Sequence, residues 1–65
     1  MTLQEYDVVR LRRPLPEHQL AEGAVGAIVL VFNDPHAYEV EFCDKEGVTL
    51  ALVTLNEEDL EKVPM

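Results

Sequence analysis

Few side chains in this sequence can do chemistry. His18 and His36 are its imidazoles and Cys43 is its one thiol. A zinc-type site needs three or four nitrogen, sulfur or carboxylate donors at set spacings. Two histidines in separate loops and a lone cysteine supply no such spacing, so surface or hydrogen-bonded histidines are expected and no metal. Cys43 precedes Asp44, whose carboxylate disfavours a thiolate and argues against a nucleophile. A half-buried cysteine at a strand end is the expectation. Glu39 and Glu41 stand two residues apart, on one face of a strand. Paired carboxylates do acid–base work when a pocket raises one of them, but alternation alone explains these two as a solvated strand face. A chain of 65 residues has little room for a pocket of about 300 Å³. Arg10, Arg12 and Arg13 form the basic cluster, a weak phosphate candidate. Their expected partners are instead Glu39, Glu41 or the acidic C-terminal end, in exposed pairs that add little stability. The sequence therefore predicts a protein that is not an enzyme and takes no cofactor.

Length and composition narrow the classes further. Residues 1–65 make one domain at most. A domain this small buries only about 60% of the surface its unfolded chain exposes. Hydrophobic residues at 48% exclude disorder. One cysteine excludes an internal disulfide, so the chain folds on burial alone or gains stability from a partner. No basic segment followed by an apolar one opens the chain, which makes a reducing cytoplasm the expected compartment. Thirteen acidic against five basic residues give a net charge of −8. That disfavours nonspecific nucleic-acid binding, which needs Lys and Arg to displace phosphate counterions, and an anionic membrane surface. It suits a basic protein partner.

The elements that must position these residues are strands. Residues 25–32 are the longest apolar run, rich in β-branched side chains, and too short for a membrane span of roughly 20 residues. Alternation puts Val25, Ala27, Val29 and Val31 on one face and Gly26, Ile28, Leu30 and Phe32 on the other. Both faces are apolar, so both are expected to be at least partly covered, by the fold or by a partner. Gly23 is expected at positive φ, and Gly26 at a bulge or a close backbone approach. Residues 6–12 form the first strand, with Val9 and Leu11 inward and Arg10 and Arg12 outward. Pro14 and Pro16 favour an extended path through the following loop. Leu15 and Leu20 anchor that loop, and residues 17–20 can make one helical turn.

Asn33-Asp34-Pro35-His36 signals a turn. Residues 37–42 are the cleanest strand, with Tyr38, Val40 and Phe42 inward and Glu39 and Glu41 outward. Together with residues 25–32 they predict an antiparallel hairpin with a four-residue connection. Asp44 to Gly47 is a second turn with Gly47 left-handed. Residues 48–55 make the next strand, again apolar on both faces. Asn56 caps a short 3₁₀ turn, Leu60 to Val63 add a last strand, and Pro64 ends pairing. The sum is an all-β fold: a small SH3-like barrel of four to five antiparallel strands with a 3₁₀ turn before the last. An open meander that closes by dimerising is the alternative, because edges and apolar faces invite association.

At the level of segments, Tyr6-Asp7-Val8-Val9, Leu15-Pro16-Glu17-His18, Gly23-Ala24-Val25-Gly26, residues 37–42, Thr49-Leu50-Ala51 and Leu55 together resemble a bacterial family of small proteins, the domain of unknown function numbered 4926. The likeness runs from Tyr6 to about Val63. It implies a small SH3-like barrel without an established activity. The resemblance further implies members encoded beside larger proteins resembling toxins, and with them an antitoxin or immunity role. A looser likeness is to KOW-type barrels of transcription and ribosomal proteins, where the spacing of Gly23-Ala24-Val25-Gly26 fits. Their basic loop is missing, since residues 14–22 hold two acids and no Lys or Arg.

Three functions compete on this reading. The first is a protein-interaction module, monomer or homodimer, whose contact surface is Glu39, Glu41 and the loop residues Leu15, Pro16 and His18. The second is a nucleic-acid-associated barrel using Arg10, Arg12 and Arg13, or an acidic mimic of nucleic acid. The third is an accessory subunit of an enzyme.

Overall fold

The computed structural model describes residues 3–64. The first two residues of the lead-in and the last residue of the chain lie outside the described residues. Five strands alternate with two single 3₁₀ turns: β1 (Val8–Leu11), η1 (Pro16–His18), β2 (Val25–Asn33), β3 (His36–Cys43), β4 (Thr49–Leu55), η2 (Glu57–Asp59) and β5 (Leu60–Lys62). All pairings are antiparallel, in the order β4-β3-β2-β1-β5. There is no α-helix among the described residues, and no helix is long and apolar enough to cross a membrane.

The sheet is open, with β4 and β5 as its edges, but it cannot be flat. Edge strands of a flat five-stranded sheet lie about 19 Å apart, four spacings of about 4.8 Å. Only residues 56–59 join β4 to β5, and three of them form η2. A 3₁₀ turn rises about 2 Å per residue, so the sheet must curl until its two ends approach. The curl encloses the core.

The cross-strand rows show which residues face inward. Val9, Gly26 and Phe42 share one row, Ile28 and Val40 a second, and Val31, Tyr38 and Leu55 a third. Leu11 pairs with Leu60 at the β1–β5 end. Val9, Ile28, Tyr38, Val40 and Phe42 are fully buried, and Leu15 and Leu20 reach the same core from the loop. Those two leucines also bridge each other through their backbones. The loop between them makes the 3₁₀ turn η1, the single helical turn the sequence allows at residues 17–20 but begun at Pro16, and Gln19 closes it in the left-handed region (φ 58°).

Several expectations need correction. The strict alternation of residues 25–32 fails, because a register shift lies between Ile28 and Leu30. One extra residue there flips the pleat. Ile28 and Val31 face inward, while Leu30 and Phe32 turn outward. Gly26 is not the bulge but the close approach. A Cβ at that position would lie 2.7 Å from the Glu41 carbonyl oxygen and 2.8 Å from Phe42 Cδ1. The β2–β3 connection is two residues, since Asn33 pairs with His36. Tyr6 is not in the first strand; it sits at φ 72° in a turn closed by Asp7 N–H on the Gln4 carbonyl. The remaining turns follow expectation, with Gly23 at φ 89° and Gly47 at φ 82°.

Candidate functional site: an apolar sheet face around Glu39 and Glu41

The outward rows of the sheet build the site. Val8, Ala27, Glu41 and Leu52 form one row across four strands. Leu30, Glu39 and Thr54 form the next, and Phe32 pairs with Ala37 beyond them. Directly paired residues share a face, so two carboxylates sit in the middle of an otherwise apolar surface. The side chains around them are uncovered. Leu30, Phe32, Val48, Leu50 and Leu52 are 38% to 59% exposed. The sequence predicts residues 25–32 to be at least partly covered on both faces, by the fold or by a partner, and the described residues of this chain do not supply that cover on the outer face. The shift after Ile28 and a second shift between Phe42 and Cys43 move apolar residues outward, and no further element of the described chain lies over them. At the β1 end the face continues into an open hollow lined by Val8, Val25, Ala27, Glu41 and Cys43. Cys43 is exposed there, and not half-buried as its strand-end position suggested.

Both carboxylates are held in place. Thr54 Oγ1 donates to Glu39 Oε1 at 2.6 Å, and Thr49 Oγ1 donates to Glu41 Oε2. Thr54 lies directly across from Glu39, while Thr49 lies across from Cys43 and reaches Glu41 diagonally, so β4 holds both carboxylates from one side. Among the described residues neither carboxylate has a Lys, Arg or His partner. Four of the five basic residues are engaged elsewhere, and Lys45, in the β3–β4 turn, makes no ion pair among the described residues. Arg10 Nε donates to Glu61 Oε1 at 2.8 Å, Arg13 Nε donates to Asp59 Oδ1 at 2.9 Å, and Lys62 Nζ lies 3.7 Å from Asp7 Oδ1. Arg12 Nε donates to the Leu60 carbonyl at 2.9 Å. The arginine cluster thus turns to the acidic C-terminal end, the second of its two expected partners, and leaves Glu39 and Glu41 without a counter-charge among the described residues.

The loop half of the expected contact surface divides. Pro16 and His18 are exposed, but Leu15 is 1% exposed and belongs to the core. It anchors η1 and is removed from the contact surface, because its side chain fills the space beside Leu20. No hydrogen bond or ion pair among the described residues joins this loop to Glu39 or Glu41.

Sequence reading missed a network at the β2–β3 turn. Tyr38 Oη donates to Glu57 Oε1 at 3.1 Å, and His36 Nε2 lies 2.6 Å from Tyr38 Oη with the two rings edge to face. With the one phenolic proton on Glu57, His36 Nε2 is the donor to Tyr38. Burial pushes the Tyr38 phenol above its ordinary value, and the Glu57 carboxylate adds to this. The Tyr38 phenol and Glu57 thus tie β3 to η2. The signal was the His-x-Tyr spacing, which puts both side chains on one strand face; Glu57 lies 19 residues away from Tyr38 and is brought in only by the fold. Asp59 is the second such clamp. Burial raises its carboxyl, but Arg13 and the Asn56 N–H outweigh this and hold it below the usual range. No group of three or more His, Cys, Asp or Glu side chains among the described residues is placed to hold a metal ion.

No curated protein and no solved structure matches the chain. A family match does cover residues 5–62, which takes in every strand, both 3₁₀ turns, and the glutamates and threonines of the sheet face. The chain belongs to the family described as Domain of unknown function (DUF4926).

Proposed function

We propose that this chain is a non-catalytic protein-interaction module that docks through the outer face of β2, β3 and β4. The observation that supports this is the pairing of exposed Leu30, Phe32, Leu50 and Leu52 with two hydrogen-bonded carboxylates that have no counter-charge among the described residues. Contiguous apolar surface rimmed by polar groups marks interaction sites. Carboxylates already fixed by threonine hydroxyls lose little side-chain entropy when a partner's Lys or Arg arrives. The matching partner therefore presents a basic side chain between apolar ones. An antitoxin-like or immunity-like inhibitor of a neighbouring protein is the form of this reading that the family resemblance implies.

The test is capture of partners from the native lysate by the tagged chain, compared with the Glu39→Lys/Glu41→Lys variant. A stoichiometric protein partner is expected with the natural chain. Charge reversal at two contact positions is expected to weaken it about tenfold or more, roughly 1.4 kcal/mol. Equal capture by both chains would move the contact off this face, and absence of any stoichiometric partner would end the interaction reading.

A further inference from the structure

The two edges of the sheet differ in kind. β5 is three residues long, carries Glu61 and Lys62, and is followed within two residues by Pro64. Short length, charge and proline are the usual protections of an edge strand against pairing with another chain. β4 has none of them. It runs seven residues, Thr-Leu-Ala-Leu-Val-Thr-Leu, without a charge or a proline, and among the described residues no strand pairs with its outer side. Half of its backbone N–H and C=O groups point away from β3. Its outward side chains Leu50 and Leu52 are more than half exposed, as is Val48 just before it, and Ala51 and Val53 are only partly buried at the rim of the core.

From this contrast we infer that β4 pairs edge to edge with β4 of a second copy, giving a symmetric dimer with one continuous ten-stranded sheet. Leu52 is the central residue of β4, so an antiparallel two-fold ladder centred there places Leu52 beside its own copy and Leu50 beside Thr54 of the other chain. Uncharged β4 suits a second copy because nothing on it is repelled by its own image.

The net charge of −8 decides between modes of self-association. Face-to-face stacking would press the Glu39 and Glu41 carboxylates of both copies together with no cation between them. Edge-to-edge pairing keeps the two β3 strands three strand spacings apart, about 14 Å, beyond the screening length of about 8 Å at physiological salt. Two paired strands make a small interface, so the dimer is weak and concentration-dependent. It uses the backbone edge of β4, shares Leu50 and Leu52 with the partner face proposed above, and leaves the rest of that face, around Leu30, Phe32, Glu39 and Glu41, open, doubled and side by side.

Sedimentation equilibrium of the natural chain from about 5 µM to about 1 mM, the range suited to a small interface, tests this together with hydrogen exchange at both ends of the range. The expected result is a monomer–dimer equilibrium with amides of residues 49–55 gaining protection as concentration rises. Added salt is expected to strengthen it, whereas docking of a basic partner on Glu39 and Glu41 weakens with salt. Leu52→Lys puts like charges opposite each other across the ladder at a position that is solvent-exposed in the monomer, and is expected to raise the dissociation constant about tenfold or more. Phe32→Lys, on the outer face two strands away, is expected to leave it unchanged. A chain that stays monomeric, a dimer that Phe32→Lys breaks, or a dimer that Leu52→Lys leaves intact would each overturn the inference.

Discussion

At the residue scale, the polar side chains that matter are those the fold has taken partly out of water. Asp59 accepts from Arg13 and from the Asn56 N–H, and its carboxyl is held below the usual range. A carboxyl depressed in the folded state contributes stability that is present above its unfolded value and is lost as pH falls through the folded one. The window therefore opens near pH 4, the ordinary carboxylate range, and extends below it. Asp59→Asn is expected to flatten this part of the acid dependence and to cost about 1 kcal/mol at pH 7, since Arg13 is half exposed and the pair is partly screened. Urea melts of both proteins between pH 2 and 7 would check it, and parallel acid slopes would refute the role given to Asp59. This clamp was legible only in half. Asn56 reads as a cap and the acids after it as a first turn, but Arg13 lies 46 residues from Asp59, and no local pattern announces a pair at that separation.

At the element scale, β2 is where local pattern and observed strand diverge. Its apolar run, its gating glycine and its pairing with residues 37–42 are all readable from residue types. Its faces are not, because a bulge is a property of two strands and their relative register. Gly26 shows the same dependence. Its lack of a side chain matters because β3 approaches it so closely that a Cβ would meet the Glu41 carbonyl and the Phe42 ring. Neither backbone nor a fully buried ring can yield cheaply, so Gly26→Ala is expected to destabilise by about 2 to 3 kcal/mol, at the upper part of the range for overpacking. Thermal or urea unfolding measures this directly. A change below about 0.5 kcal/mol would mean that β2 and β3 separate more easily than their register implies.

At the scale of the whole molecule, one curled sheet surrounds one core, and few residues carry it. Phe42 is 1% exposed and packs beside Gly26. Phe→Ala in a core costs about 3 to 5 kcal/mol, while small domains hold only about 5 kcal/mol in total. Phe42→Ala is therefore expected to leave most of the chain unfolded at 25 °C, with loss of the strand signal in far-ultraviolet circular dichroism. A variant that keeps a cooperative transition near that of the natural chain would show that other contacts share the load more evenly. The proposed function belongs to the same scale. A curled sheet with one enclosed face has a second face over which none of the described residues lies. That asymmetry supports the partner-docking reading, and the contrast between its edges supports the dimer.

Residue types and their order determined the all-β class, the position of each strand, the turns at Gly23 and Gly47, the 3₁₀ turn before the last strand, and the inward set Val9, Leu11, Tyr38, Val40 and Phe42. They did so because alternation, β-branching and positive-φ glycines are local properties that a strand or turn must satisfy before it meets its neighbours. The tertiary structure alone decided that Leu30 and Phe32 point outward, that Leu15 is core, that Arg10 and Arg13 pair with Glu61 and Asp59, and that Glu39 and Glu41 stand, among the described residues, without a counter-charge beside exposed apolar side chains. The physical reason is that register, burial and charge pairing belong to surfaces brought together from distant parts of the chain.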